Sequence, residues 1–378
     1  MASCAKNKRY LKKAESFTFM LKKICIFFLA CLLLLGCSEA YLAFKGYALP
    51  DPHNLEAAHF DDQECGWLPT PGHSYSREDP QAATTVGTNF CRLSCPPEEA
   101  AWLAKQRQKA LLLGCSYTFG MGVKDEETFG WLLNQKQQRF YFTNGGVIGY
   151  STYQCLKRLE KFFRQGAKPR LVIYAFINDH LMRNVSCRIF GKAAESFDFI
   201  ETPYFEVRPS GQTIFHPLRH LAWPGEKYLR TVNFANRLYV NRLTEQTRQV
   251  GFDKEASHQV YRHLVSQMAD LCQKNGAVLP IVSLDTSSNW LFPALSSVST
   301  ASNSAAVSST PNLTDVSTFT ATDNNPTATP ILYLDANCED LYKPEYHVKN
   351  RLDFHPAAIA HNFWAQKIAT FIQSIELP

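Results

Sequence analysis

The chain has 378 residues, 45% hydrophobic and 19% charged, which is enough apolar side chain to bury a core and too much for a wholly disordered chain. Its formal net charge of +5 sits at one end: residues 1–23 carry seven Lys or Arg against one Glu, so the rest of the chain nets −1. A near-neutral body argues against nucleic acid as a partner, because phosphate binding needs a basic face.

Residues 1–23 read as a basic n-region. Lys22 and Lys23 precede the apolar run Ile24–Gly36. Thirteen residues are too few to span a bilayer, where about 20 are needed, but extension to Phe44 reaches that length. Two readings of 24–44 stand side by side. One is an uncleaved signal anchor, with the basic residues held in the cytoplasm. The other is a lipoprotein signal, in which Leu34-Leu35-Gly36-Cys37 makes Cys37 the lipidation candidate and Met20 the start. Either way the body is expected outside the cytoplasm, membrane-tethered, on the periplasmic or extracytoplasmic side. The eight cysteines beyond this segment fit export, where an oxidising compartment would let some pair. No metal site is expected, since there is no CxxC pair and the histidines lack ligand spacing. His180, His347 and His361 read as structural or solvated.

Residues 45–108, rich in Pro, Asp and Gly, read as a membrane-proximal lead-in with short strands. Beyond them strands and helices alternate through 109–378. Lys109–Gly114, Phe140–Gly146, Leu171–Phe176, Ala277–Leu284 and Ile331–Leu334 are predicted strands. Residues 126–138, Thr152–Arg164, Asp253–Lys274 and His355–Ile375 are predicted helices. Such alternation implies a parallel sheet covered on both faces. Residues 185–250 read as an irregular insertion. In 294–330, 16 of 37 residues are Ser or Thr and none is Lys or Arg, so this stretch is expected to be a mobile low-complexity loop.

Four segments fall where one sheet edge would gather them. Cys115-Ser116-Tyr117-Thr118-Phe119-Gly120 follows the first strand, and Asn144-Gly145-Gly146-Val147-Ile148-Gly149 the second. Ile177-Asn178-Asp179 follows the third, and Asp353-Phe354-His355-Pro356 precedes the last helix. A serine at a strand-to-helix turn lies at the carboxyl edge of a parallel sheet, where α/β sites form. A serine hydroxyl needs a base to become a nucleophile, and a carboxylate steadies the imidazolium that results.

These segments resemble the sequence blocks of the SGNH (GDSL-like) hydrolase superfamily, in particular its membrane-anchored and exported members. The resemblance runs from about residue 61 to the C-terminus. It is strongest at 109–184 and 351–372, with Gly66-Trp67 and Thr88-Asn89 similar to the lead-in of that group. It implies a flavodoxin-like three-layer α/β/α fold with a central parallel sheet, and acyl-ester chemistry through an acyl-enzyme. By the same resemblance Ser116 is the nucleophile, His355 the base and Asp353 the residue that orients it. The Ser116 and Gly149 N–H groups and the Asn178 side chain form the oxyanion hole. Three departures stand out. Cys115 replaces the usual Asp of the first block, Phe176 replaces a usual Gly, and Asp353-x-His355 is one residue shorter than the usual spacing. A thiol beside the serine also leaves Cys115 open as an alternative nucleophile.

The implied activity is that of a serine esterase or O-acyl hydrolase on acyl esters, with an acylated glycan among the candidate substrates. The same triad also serves an O-acyltransferase with a polysaccharide acceptor. A reading of another class is a silent envelope-binding protein that keeps the fold. No cofactor is implied.

Overall fold

The computed structural model describes residues 2–49, 59–75, 83–191, 199–208, 210–248, 253–285, 316–320, 330–348 and 355–375. Five strands form the parallel core: β1 (Gln108–Leu113), β2 (Phe140–Asn144), β3 (Leu171–Phe176), β4 (Pro280–Ser283) and β5 (Pro330–Asp335). Their spatial order is β2-β1-β3-β4-β5, the flavodoxin-like doubly wound order. An antiparallel edge strand, Val316–Thr320, pairs with β5 outside this set.

Side chains alternate across each strand, and here both faces are apolar. On β1, Leu111 and Leu113 enter one core while Ala110 and Leu112 enter the other. On β3, Val172, Tyr174 and Phe176 face the first core and Leu171, Ile173 and Ala175 the second. A sheet that is apolar on both sides must be covered on both sides, which gives the three layers.

Nine α-helices are described: α1 (Ala2–Phe44), α2 (Pro97–Gln106), α3 (Ser116–Phe119), α4 (Phe129–Lys136), α5 (Thr152–Arg164), α6 (Asp179–Val185), α7 (Arg230–Arg248), α8 (Lys254–Lys274) and α9 (Ala358–Gln373). Leu156 and Leu159 of α5, Leu181 of α6, and Leu264 and Met268 of α8 close the first core. Leu133 of α4 and Trp364 and Ile368 of α9 close the second. Ser151 and Gln154 form a reciprocal capping box at the start of α5. The Asp253 carboxylate caps α8 at Ala256 N.

Two stretches differ from their sequence reading. The region 185–250, read as irregular, contains the 19-residue helix α7. Its buried positions include Asn233, Asn236 and Val240, and the two amides interrupt the apolar stripe that marks most surface helices. Within 294–330, read as a structureless loop, Val316–Thr320 adds a strand to the sheet edge. Backbone pairing with β5 supplies what that Ser/Thr-rich composition does not. The eleven cysteines from Cys25 to Cys338 are all free thiols. Cys91 and Cys95 are both buried, with Cys91 facing the Arg158 guanidinium at 3.7 Å and Cys95 the Tyr141 hydroxyl at 4.0 Å.

Helix α1 holds one apolar stretch, Phe17–Phe44, whose 28 residues are long enough to cross a membrane. Phe17, Leu21, Ile26, Phe27 and Leu33 are all exposed, so the stretch up to Leu34 is largely apolar with no protein covering it, while Ser38 and Glu39 beyond it meet α7.

Trp364 is fully buried. It stacks on Tyr117, meets Phe129 edge-on and donates its indole N–H to the Leu284 carbonyl at 3.2 Å. Trp364→Ala is expected to cost about 3–5 kcal/mol, read as a lowered urea midpoint, and Trp364→Phe less. Equal losses would show that the indole's size and N–H do not matter there.

Candidate active site

In the order β2-β1-β3-β4-β5 the winding direction reverses between β1 and β3, and ligand crevices open there at the carboxyl ends of the strands. Ser116 opens α3 directly after β1. Asn178 stands just beyond β3 as the N-cap of α6. The two residues flank the reversal point. The segment 144–149 leaves β2, adjacent to β1 on its other side.

Hydrogen bonds between these loops hold the edge together. Asn144, fully buried, donates from Nδ2 to the Thr118 carbonyl at 2.8 Å and accepts the Gly146 N–H at 3.0 Å. Gly145 N donates to Leu112 O at 2.9 Å and Val147 N to Gly114 O at 3.1 Å. Gly146 must be glycine, because a Cβ there would stand 2.5 Å from Phe119 N and 2.8 Å from Thr118 C. Gly149 follows with φ +80°, a left-handed conformation that favours glycine.

Ser116 is only 4% exposed, and its Oγ lies 4.0 Å from the Cys115 Sγ. Burial pushes the Cys115 thiol up from its ordinary range, and the nearby Arg183 guanidinium only partly offsets this. A buried thiol held protonated is a poor nucleophile, since the thiolate is the reactive form. The His355 ring meets the ring of Tyr117, next in chain to Ser116, edge-on at 5.8 Å between centroids. Asp353 lies outside the described residues. Earlier in this part of the chain, Asp340 pairs with Lys343 at 2.5 Å and Asp335 accepts the Asn337 N–H at 2.9 Å. His361, fully buried, stacks on Phe129, and burial pushes it down to about 3, which makes it a neutral core residue. His180 is likewise buried, 2.7 Å from the Tyr174 hydroxyl.

Two further residues belong to this edge and carry no motif. Arg92 is almost fully buried. It pairs with Asp125 at 2.7 Å and donates to the carbonyls of Phe119 at 3.0 Å, Val123 at 2.6 Å and Gly120, so it clamps the loop that follows Ser116. Asp285, just past β4, accepts the Asn178 N–H at 3.0 and 3.2 Å. Burial above all, with the Asp179 charge, raises its carboxyl to about 7 against the Asn178 hydrogen bond. Arg183 donates to the Tyr150 carbonyl and the Asp179 carboxylate, both at 3.0 Å. Arg188 is pulled down to about 10 by burial and by Arg183. Among the described residues no three His, Cys, Asp or Glu side chains cluster to hold a metal ion.

No protein-family profile and no curated protein sequence matches the chain. Among solved structures, the chain is similar to a G-D-S-L family lipolytic protein of Desulfitobacterium hafniense, at 12% identity and TM-score 0.36, covering 70% of this chain and 99% of that one. It is similar to a second such protein from Veillonella parvula at 11% and 0.35, covering 71% and 100%. It is also similar to a lipase from a goat rumen metagenome at 10% and 0.33, covering 70% and 96%. The likeness concerns the fold alone, a parallel sheet between two helical layers.

The raised Asp285 carboxyl carries a signed pH dependence. Between about pH 4 and 7 the folded chain keeps a proton on Asp285 that the unfolded chain has released, so this residue's contribution to stability falls as pH rises through that window. Asp285→Asn removes the titrating carboxyl and keeps an acceptor for Asn178. The difference in melting temperature, variant minus parent, is expected to grow from pH 4.5 to pH 8. Parallel curves would place the Asp285 carboxyl at its ordinary pKa.

Proposed function

We propose that the chain is a membrane-tethered serine esterase or O-acyl hydrolase with Ser116 as nucleophile and His355 as general base. The single observation that carries this reading is the placement of Ser116. It opens a helix at the carboxyl end of β1, at the reversal point of the sheet, with the His355 ring against its neighbour Tyr117. The lipolytic description of the similar G-D-S-L structures agrees with ester chemistry.

In this mechanism His355 takes the Ser116 Oγ proton as Oγ attacks the acyl carbon. The negative charge moves to the carbonyl oxygen, where the Ser116 and Gly149 N–H groups and the Asn178 amide donate to it. Collapse expels the alcohol, which takes the proton from His355 and leaves an acyl-Ser116. Water, deprotonated by His355, then attacks the acyl carbon, and His355 returns the proton to Ser116 Oγ as the bond to it breaks and the carboxylic acid leaves. Asp353, two residues before the base, is the proposed group that orients the imidazole. Asp285, bonded to the Asn178 backbone, sets where that amide points. The tether is the apolar stretch of α1, with the basic residues 1–23 on the cytoplasmic side and the catalytic body on the other.

Ser116→Ala is expected to lower turnover of a short-chain aryl ester by about 10³-fold or more and to abolish labelling by a fluorophosphonate probe. Cys115→Ala should keep most of both. An active Ser116→Ala with a dead Cys115→Ala would overturn the assignment.

A further inference from the structure

The outward end of α1 is tied to the first turn of α7. The Glu39 carboxylate accepts the backbone N–H groups of Arg230 at 3.0 Å and Thr231 at 2.6 Å. Ser38 Oγ lies 2.8 Å from Thr231 Oγ1, the Tyr47 hydroxyl donates to Asn233 Oδ1 at 2.6 Å, and Arg230 Nε donates to the Tyr47 carbonyl at 3.1 Å. The unpaired N–H groups at the start of α7 are thus met by a carboxylate of α1, which also favours the positive end of the helix dipole. Wherever the apolar stretch ends, α7 begins.

That junction is also where exposed apolar surface gathers. Beyond α1, nine large apolar or aromatic side chains are exposed among the described residues. Five of them fall within residues 223–239: Trp223, Tyr228, Phe234, Leu238 and Tyr239. Scattered exposed apolar side chains are ordinary, but a cluster marks a contact. Phe234 and Leu238 lie four residues apart on one face of α7. The Phe234 ring packs edge-on to Tyr47, and Trp223 packs on Tyr239. Four of these five are aromatic, three of them Trp or Tyr, the types that settle at the headgroup level of a bilayer. Lys227 and Arg242, also exposed, and Arg230 and Arg237 add positive charge suited to anionic headgroups.

We infer that residues 223–242 form a second membrane contact, with the 223–229 turn and the outer face of α7 lying in the headgroup layer of an anionic bilayer beside the end of α1. The inference rests on the reading of α1 as a membrane span. Two contacts restrain a body that one helix would leave free to swing, so this surface sets the orientation of the sheet edge that carries Ser116.

The test uses the full chain in vesicles of phosphatidylcholine and phosphatidylglycerol, with or without brominated acyl chains. The Trp223 signal is taken as the difference between the parent and Trp223→Phe. Bromine is expected to quench this signal at least twofold, and aqueous iodide to leave it unchanged. Leu238→Ser with Tyr239→Ser should restore iodide access while turnover of a soluble aryl ester stays at the parent level. A Trp223 signal quenched by iodide and untouched by bromine, in a chain that survives an alkaline carbonate wash, overturns this contact and leaves the span intact. Release of the chain by that wash overturns the span and the contact with it. Insensitivity to both quenchers together with crosslinking between two copies would reassign the surface to a dimer.

Discussion

The buried guanidinium of Arg92 is the constraint on which the candidate site depends. A guanidinium cannot shed its charge inside a protein and needs most of its five donors met. Arg92 meets them with Asp125 and with the carbonyls of Phe119, Gly120 and Val123. Those carbonyls close α3 and begin the loop behind it, so satisfying the charge fixes the backbone that presents Ser116. Arg92 belongs to the stretch read from composition as a membrane-proximal lead-in. The same stretch sends the indole N–H of Trp67 to the Ile148 carbonyl at 2.7 Å and accepts the Gln154 amide at Cys65 O, also at 2.7 Å. These residues are built into the sheet edge and do more than space it from α1.

Legibility in the sequence followed from which force shapes each element. β3 and α5 have the bounds that periodicity predicts, Leu171–Phe176 and Thr152–Arg164, because a continuous apolar run and an amphipathic repeat are direct records of burial. α7 left a weaker record, since two of its buried groups, Asn233 and Asn236, are amides. Asn233 is bonded to Tyr47 and Asn236 to the buried Glu226. The Asn233 bond to Tyr47 spans 186 residues of chain and leaves no local period. The strand Val316–Thr320 was hidden for a related reason, as its pairing with β5 uses backbone groups that every sequence has.

The candidate site was legible to the same extent. The segments at Ser116, 144–149 and Asn178 could be placed on one edge because each follows a strand. Their order across the sheet could not, and it is the order that sets Ser116 and Asn178 on either side of the reversal between β1 and β3. Arg92 and Asp285 stayed hidden because each acts alone. A single charged residue in a sequence reads as solvated surface until the fold shows what it meets.

The neighbouring Cys115 and Ser116 show how burial divides two candidate nucleophiles. By intrinsic chemistry the thiol is the better one. Cys115 is fully buried at the end of β1, where the neutral thiol is favoured and the Arg183 guanidinium offsets this only in part. Ser116, one residue on, is the first residue of α3. A serine needs no charge of its own before reaction, only a base at the moment of attack. A buried position that disfavours a thiolate therefore costs a serine little, which is the physical ground for proposing Ser116 and not Cys115 as the nucleophile.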